Sequence, residues 1–283
     1  RPVSMVPPDF TPAQESLFLT LGSRALDSRL PRPFLGDTTA DAIVAKTGYP
    51  LERFPQLGTK VLDPRSKVFD VAVRTKIMDD MVRQFVRRHP NAVVLDLGAG
   101  LDDRLARVDP PAGVDWYDID YPEVIELRRK VLPHLENSHD IGADLTDPQW
   151  LNDIPDHRPA IIVADGLMLF LAQDDFLALL RRLTTRFPSG ELVLNAYTSW
   201  AMWTFKRSRA MAPIAGGIAN PGLNNPKKLE KWVSGLKLVD ELLLTRTAEV
   251  AELPRLARWS FRLAARSAIL SRMMTTVVLR YGF

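Results

Sequence analysis

The chain has no cysteine. That absence removes disulfides, thiol nucleophiles and thiolate metal sites together, and with them a disulfide-stapled secreted scaffold. Histidine is scarce: His89, His134, His139 and His157 are the whole supply among 283 residues. A histidine metal cluster or a histidine general base has few places to come from. No apolar run is long enough to span a bilayer, and no basic-then-apolar leader opens the chain. A chain that opens on Arg1 is expected to be processed or trimmed there. A strong excess of one charge is missing too. Lys and Arg number 37 against 34 Asp and Glu, giving +3, without the concentrated patch of a nucleic-acid footprint. These absences leave a cytoplasmic protein with no integral membrane span, no nucleic-acid partner and no metal site as the expectation.

What is present is ample core material. Hydrophobic residues make up 46% of the chain, enough for one large domain or a core domain with an added cap. Residues 1–60 are Pro-rich, with helices predicted over 12–30 and 39–46, the second started by the cluster Asp37-Thr38-Thr39. Residues 64–89 read as a long amphipathic helix whose apolar face carries Val68, Ala72, Met78, Met81, Val82 and Phe85. Strand and helix signals then alternate. Strands are predicted over 92–97, 114–119, 139–143, 160–164, 191–196, 237–245 and 275–281. Helices are predicted over 122–131, 174–187 (with Asp174 near the N-cap), 226–236 and 253–266. That alternation implies a mostly parallel sheet covered on both faces.

The most informative stretch is Asn91-Ala-Val-Val-Leu-Asp-Leu-Gly-Ala-Gly-Leu-Asp-Asp103. It reads as a buried strand running into a glycine turn with acids at its carboxyl end, where an open α/β sheet holds nucleotide-like ligands. The third glycine of the dinucleotide fingerprint is absent, and Asp103 stands there instead. A pyrophosphate prefers bare N–H groups at a helix N-terminus. The flanking carboxylates favour a cationic or hydroxyl-rich ligand, such as a sulfonium nucleoside.

Three further acids end strands. Asp120 closes the second strand at about the 20-residue offset where a carboxylate grips a ribose diol, or else it caps the helix beginning at Pro122. Its neighbour Asp118 should face the other side of the sheet. Asp144 follows the third strand and could meet an exocyclic amine, or cap the turn at 146–150. Asp165-Gly166 ends the fourth strand.

Beyond the fifth strand, Tyr197-Thr-Ser-Trp-Ala-Met-Trp-Thr-Phe-Lys-Arg-Ser-Arg209 interleaves aromatics with cations. Tyr197, Trp200, Trp203 and Arg207 could pack and orient a flat acid, or the segment is an amphipathic helix with its aromatics in the core. A second variable part is the N-terminal segment around 23–35. Arg255, Arg258, Arg262 and Arg266 share one helix face, with Leu256, Trp259 and Leu263 on another. Such a helix could dock an acidic partner or a membrane surface, or be a solvated face.

The order and spacing of these pieces resembles the leucine carboxyl methyltransferase family, and within it the branch of bacterial polyketide carboxyl O-methyltransferases of the tetracenomycin type. The resemblance runs from about Arg24 to the C-terminus. It rests on Asp41-Ala-Ile-Val44, Val73-Arg-Thr75, Leu97-Gly-Ala-Gly-Leu-Asp102 and Asp118-Ile-Asp-Tyr-Pro-Glu-Val-Ile-Glu126. Ala143-Asp-Leu-Thr146, Ala164-Asp-Gly-Leu167 and the closing Arg280-Tyr-Gly-Phe283 complete it. Two positions depart from it: Asp165 stands where many members carry Glu, and Phe170 where many carry Tyr.

The resemblance implies a Rossmann-like class I methyltransferase of the α/β class, with S-adenosyl-L-methionine as donor. It implies a mostly parallel seven-stranded sheet, an antiparallel C-terminal strand, an N-terminal helical cap over 1–63 and a catalytic domain over 64–283. A substrate-facing insertion is expected at about 197–225. Position by position, Arg74 would pair the methionine carboxylate, and Gly98, Ala99, Gly100 and Asp102 would line the methionine part. Asp120 would hold the ribose, Asp144 and Leu145 the adenine, and Asp165 would sit near the donor amino group.

The expected reaction is esterification of a carboxylate on a small polyketide-like or other secondary metabolite. A carboxylate is ionised at neutral pH (reference pKa about 4), so no side chain need act as catalytic base. Competing readings are methylation of a phenol or alcohol, which does need a base, methylation of a protein C-terminal carboxylate, an NAD(P)-dependent oxidoreductase on the same sheet, and a non-catalytic binding module. A homodimer or an acidic carrier protein are the macromolecular partners such a chain could have.

Overall fold

Runs of β-branched and aliphatic residues become buried strands here, and the amphipathic runs between them become helices. The computed structural model describes residue 5 and residues 9–283. Helices α1 (Pro12–Ser28), α2 (Thr38–Thr47), the single turn α3 (Pro55–Gly58) and the long α4 (Pro64–Arg88) come first. Local chemistry sets their starts. Thr11 and Gln14 form a reciprocal capping box on α1, and the Asp37 side chain accepts from the Ala40 N–H on α2. Asp63 caps α4, whose first residue is a proline preset for that position.

The alternating part follows as β1 (Val93–Leu97), α5 (Arg104–Val108), β2 (Asp115–Asp120), α6 (Pro122–Val131), β3 (Ser138–Gly142), β4 (Ala160–Ala164), α7 (Gln173–Arg186) and β5 (Gly190–Ala196). Then come α8 (Ser199–Arg207), α9 (Ala212–Ala215), α10 (Lys228–Trp232), β6 (Lys237–Leu243), α11 (Arg255–Ala264), α12 (Ala268–Met274) and β7 (Val277–Gly282).

The seven strands lie in the order β3-β2-β1-β4-β5-β7-β6. β7 runs antiparallel to both its neighbours, and the other pairings are parallel. The chain enters the sheet at β1, builds outward through β2 and β3, then returns to build β4 and β5 on the other side. Strand order therefore reverses between β1 and β4, and a crevice opens at their carboxyl ends.

Period-two alternation splits the core between the two sheet faces. Leu95, Leu97, Ile162 and Leu194 pack with Phe176, Leu179 and Leu183 of α7. Val94, Trp116, Val163 and Val193 pack with Met78, Val82 and Phe85 of α4. A third cluster joins Phe18 and Leu21 of α1 to Ile43 of α2, to Val124 of α6 and to Leu101 after the glycine turn. That packing lays α1 across the carboxyl end of the sheet.

Differences from the sequence reading lie outside the sheet core. The helix expected over 226–236 shrinks to α10, with Val233 already extended at its C-cap before the chain turns at Gly235 with φ +92°. The expected 253–266 helix ends at Ala264, and Ser267 starts α12 by accepting from the Leu270 N–H. Asp174 lies near the cap of α7 as expected, two residues past Ala172 in the first turn. Among the described residues, no helix is long and apolar enough to cross a membrane.

Candidate functional site

The glycine turn is built by backbone hydrogen bonds. The N–H groups of Gly98 and Ala99 donate to the Ile119 carbonyl at 2.8 and 3.3 Å, pinning the turn to β2. Gly98 and Gly100 take φ of +66° and +54°, a region that side chains with a Cβ rarely adopt. A Cβ on Gly100 would stand 3.1 Å from Cβ of Leu17 on α1, and one on Gly98 would stand 3.1 Å from Cδ1 of Leu167. The turn is thus sandwiched between α1 and the loop after β4.

Asp120 bridges this turn to the end of β2. Its Oδ2 accepts from the Gly100 N–H and its Oδ1 from the Tyr121 N–H, both at 2.8 Å. The cap of α6 is Tyr121, so Asp120 does not cap that helix. Burial pushes the Asp120 carboxyl up to about 6, even though both N–H donors pull the other way. Asp118 points away, as alternation requires, and pairs with Arg128 at 2.9 Å.

The acids Asp96, Asp102 and Asp165 converge on arginines that sequence reasoning missed. Arg104, 1% exposed, lies 2.7 Å from Asp79, 3.1 Å from Asp96, 3.3 Å from Asp102 and 3.0 Å from Asp165. Arg107 holds Asp102 at 2.6 Å and Asp79 at 2.7 Å and reaches Asp37 at 3.0 Å, while Arg24 bonds Asp37 at 3.2 Å. Burial alone would raise the Asp102 carboxyl, but Arg107, Arg24 and Arg104 hold it well below the usual carboxylate range. Asp165 is likewise buried yet lowered, by Arg74 and Arg104. Asp96 moves the other way: burial raises it, and Arg104 only partly compensates.

A signal for this network exists in the sequence. Ala72, Thr75, Asp79, Val82 and Val86 form one buried stripe of α4, so a carboxylate sits where periodicity demands an apolar residue and must find a buried cation.

Two cavities lie beside α1. The first is bounded by α1, the glycine turn, Asp120, Tyr121, Leu145 and Asp165. The second, of about 240 Å³, is bounded by Asp70, Arg74, Tyr197, Ala201, Phe205 and the residues Thr275 and Thr276 that lead into β7. Ser16, Thr20, Gly166 and Phe170 belong to both and form a common wall.

The structure brings Gly98, Ala99, Gly100, Asp102, Asp120, Leu145 and Asp165 into the first cavity. Asp102 is there, but Arg107 takes both of its oxygens. Asp144 is not among the residues lining that cavity. It is exposed, and Oδ1 accepts from the backbone N–H and hydroxyl of Thr146, so the turn-stabilising role expected as its alternative is the one observed.

Arg74 faces the second cavity rather than the first. Its Nε bonds Asp165, and its Nη1 bonds Asp70 and the Tyr197 hydroxyl, at 2.9, 2.9 and 3.0 Å. Its Nη2 lies 3.3 Å from where a Cβ on Gly166 would be, beside the common wall.

Of the aromatic and cationic residues expected on the acceptor side, Tyr197 lines the second cavity. Trp200, Trp203 and Arg207 do not. Tyr197 precedes α8, and helical spacing puts residues 201, 204 and 205 on the cavity side of α8 and 200, 203 and 207 one face over. Trp200 and Trp203 are half exposed, stack with centroids 5.3 Å apart, and Arg207 lies 4.4 Å from the Trp203 ring centroid. The alternative of burying both in the core is not realised either. None of the four histidines lines either cavity.

The model of leucine carboxyl methyltransferases matches residues 18–184. A tetracenomycin polyketide synthesis O-methyltransferase of Streptomyces glaucescens, TcmP, is 35% identical over 88% of this chain and 89% of its own. An S-adenosyl-L-methionine-dependent methyltransferase of Gibberella zeae is 30% identical over 83% of each chain. A crystal structure from Thermobifida fusca described as a methyltransferase superposes with a TM-score of 0.53, covering 92% of this chain and 93% of that one. At 17% identity it bears on the fold alone.

Proposed function

Because this chain belongs to the leucine carboxyl methyltransferase family, we propose that it moves the methyl group of S-adenosylmethionine onto a carboxylate oxygen of a small polyketide-like acid. S-adenosylmethionine dependence comes with that membership. The acceptor and the residue assignments are our reading.

The first cavity suits the donor. Gly98 and Gly100 keep open a space that a Cβ would fill, Asp120 offers lone pairs to a ribose diol, and Tyr121, Val124 and Leu145 supply an apolar slot for adenine. Arg74, beside the common wall, is assigned to the methionine carboxylate, with Arg24 of the first cavity as a second cation. Asp165 is assigned to the amino group. The adenine contact falls to Leu145, with Asp144 shaping its turn. Residues 1–63 are assigned as a cap on a catalytic domain of 64–283, because α1 contributes Ser16 and Thr20 to the wall between donor and acceptor. Bound there, the donor supplies a methyl carbon already activated by its sulfonium leaving group. The work left to the protein is alignment and exclusion of water.

One observation carries the choice of a carboxylate acceptor. Asp70 and Tyr197, the acid and the phenol lining the second cavity, are both committed to Arg74. Asp70 also accepts from the Thr276 N–H. Burial, then Asp70, pushes the Tyr197 hydroxyl far above its usual range, so it stays protonated at neutral pH and offers no phenolate to act as base. An acceptor that arrives ionised fits that cavity, whereas a phenol would need a free base.

The test is methyl-labelled S-adenosylmethionine offered with matched aromatic acids and phenols. Mild alkali then separates esters, which release labelled methanol, from ethers, which do not. Label on acids, lost in alkali, is expected. Alkali-stable label on phenols would replace this reading with ether formation. Arg74→Ala should weaken binding of the demethylated cofactor by about tenfold or more, as expected when a charged group loses its partner. Unchanged affinity by calorimetry would remove Arg74 from the donor site.

A further inference from the structure

Fourteen large hydrophobic side chains are exposed among the described residues, and nine of them lie on just three helices. These are Trp200 and Trp203 on α8, Leu256, Trp259 and Leu263 on α11, and Ile269, Leu270, Met273 and Met274 on α12. α12 packs against both α8 and α11, so the three helices form one continuous region. Leu256, Trp259 and Ile269 are 77%, 63% and 67% exposed. Side chains that exposed protrude rather than line a groove.

The same region is uniformly basic. Residues 253–274 contain Arg255, Arg258, Arg262, Arg266 and Arg272 with no Asp or Glu, and residues 199–211 contain Lys206, Arg207 and Arg209 with none. Arg272 pairs with Glu241. Among the described residues, none of the other seven cations is in an ion pair, so their charge is free to act outward.

On α11 three faces are distinct. Ala264 is buried and Ala257 and Phe261 half-buried against the protein, Leu256, Trp259 and Leu263 form an exposed apolar stripe, and Arg255, Arg258 and Arg262 run beside it. An apolar stripe with tryptophan, bordered by arginines that can reach toward charged groups, is the pattern of a helix lying in a membrane interface. The region also touches the chemistry: Met273 and Met274 line the second cavity, as do Ala201, Thr204 and Phe205 on the inner face of α8.

We propose that α8, α11 and α12 form a face that binds an anionic lipid surface, setting the wall of the second cavity against the membrane. Trp259, Leu256 and Ile269 enter the headgroup boundary while the arginines meet lipid phosphates. An isologous pairing of two copies through this face would set seven unpaired cations against seven, which disfavours self-association as its purpose.

The experiment is co-sedimentation of the whole protein with vesicles of phosphatidylcholine alone and with about one-third phosphatidylglycerol added. Partition into the anionic vesicles, weakened by salt, with little into the neutral ones, is expected. The double variants Leu256→Glu with Trp259→Glu, and Arg258→Glu with Arg262→Glu, should each cut that partition by about tenfold or more. Both pairs lie outside the two cavities, so affinity for the demethylated cofactor should not change. Absence of partition, equal partition by both variants and the parent, or equal binding to neutral vesicles overturns the proposal. A stable dimer by sedimentation velocity that the Trp259 variant dissociates, or saturable binding of an acidic protein without vesicle binding, overturns it as well.

Discussion

Replacing Arg104 with methionine keeps most of the side chain's length and removes its charge. Four carboxylates then lose a shared partner: Asp79, Asp96, Asp102 and Asp165, each now within 3.3 Å of the guanidinium. Removing one partner of a buried ion pair costs about 3–5 kcal/mol, because the charge left behind stays buried. Two effects hold the cost near the lower end. Asp79, Asp102 and Asp165 keep Arg107, Arg24 and Arg74, and Asp96, already raised by burial, can take up a proton. A cost of about 3 kcal/mol remains. A chain of 283 residues, at roughly 2 cal/mol/K per residue, unfolds with an entropy near 0.6 kcal/mol/K, so Tm should fall by about 5 °C at neutral pH.

The pH dependence separates charge from packing. In the variant the stranded carboxylates have raised folded pKa values. A group raised above its unfolded pKa favours the fold when protonated, so the deficit is full at about pH 7 and shrinks as pH falls toward about 5. Scanning calorimetry at both ends of that range reads this directly. The demethylated cofactor should also stabilise the variant less than the parent, since Asp165 and the turn lose their anchor. A Tm within one or two degrees of the parent, or a deficit that does not change with pH, would refute the assignment of Arg104 as the electrostatic centre of the site.

Two further outcomes follow from the first cavity. With the Asp120 carboxyl pushed up to about 6 and ribose hydroxyls donating to its ionised form, cofactor affinity should be level above about pH 7 and fall toward tenfold per pH unit below about 6. The unliganded fold has the opposite slope: a raised carboxyl contributes stability that is lost as pH rises from about 4 toward about 6. Asp120→Asn should flatten both slopes, and calorimetric titrations showing the parent's pH profile in that variant would contradict the role. Gly100→Ala meets both a φ of +54° and Leu17 at 3.1 Å, whereas Gly48→Ala meets a φ of +64° with nothing within 4 Å. Both should lose about 1–2 kcal/mol of stability to backbone strain, but Gly100→Ala alone should weaken cofactor binding. Equal affinities in the two variants would show that α1 yields freely at the turn.

The sheet was legible in the sequence and the charge network was not, for one physical reason. Periodicity reports which residues leave water, and in β1, β2, β4 and β5 most of those are apolar, with Asp96, Asp118, Glu191 and Asn195 the buried exceptions. Arg24, Arg104 and Arg107 leave water or nearly so only because acids distant in sequence meet them, and no local pattern encodes that meeting. Asp79 was the visible clue, a carboxylate on the buried stripe of α4. The limits of α11 and α12 were hidden because the break at 265–267 contains neither glycine nor proline. On α8, composition pointed to Trp200 and Trp203 as acceptor contacts, yet helical phase turns Ala201 and Phe205 to the second cavity, beside Tyr197 just before the helix.

The network also changes what the acids at the sheet edge can do. Four line the first cavity: Asp96, Asp102, Asp120 and Asp165. Three of them are in contact with guanidinium groups, and Asp120 alone is held only by backbone N–H groups. A carboxylate fixed by two amides keeps lone pairs for neutral hydroxyl donors, which is what a ribose diol presents. The arginine-bound acids act instead as fixed charge. Counted with Arg107 and Arg74, which hold Asp102 and Asp165 from outside the cavity, Arg24 and Arg104 match the four acids in number. The cavity therefore holds no surplus cation for a doubly anionic pyrophosphate, and Asp120 is its acceptor left for neutral donors. The turn at Gly98–Gly100 has the glycines of a nucleotide loop, and the acceptor beside it suits the hydroxyls of a nucleoside rather than a phosphate.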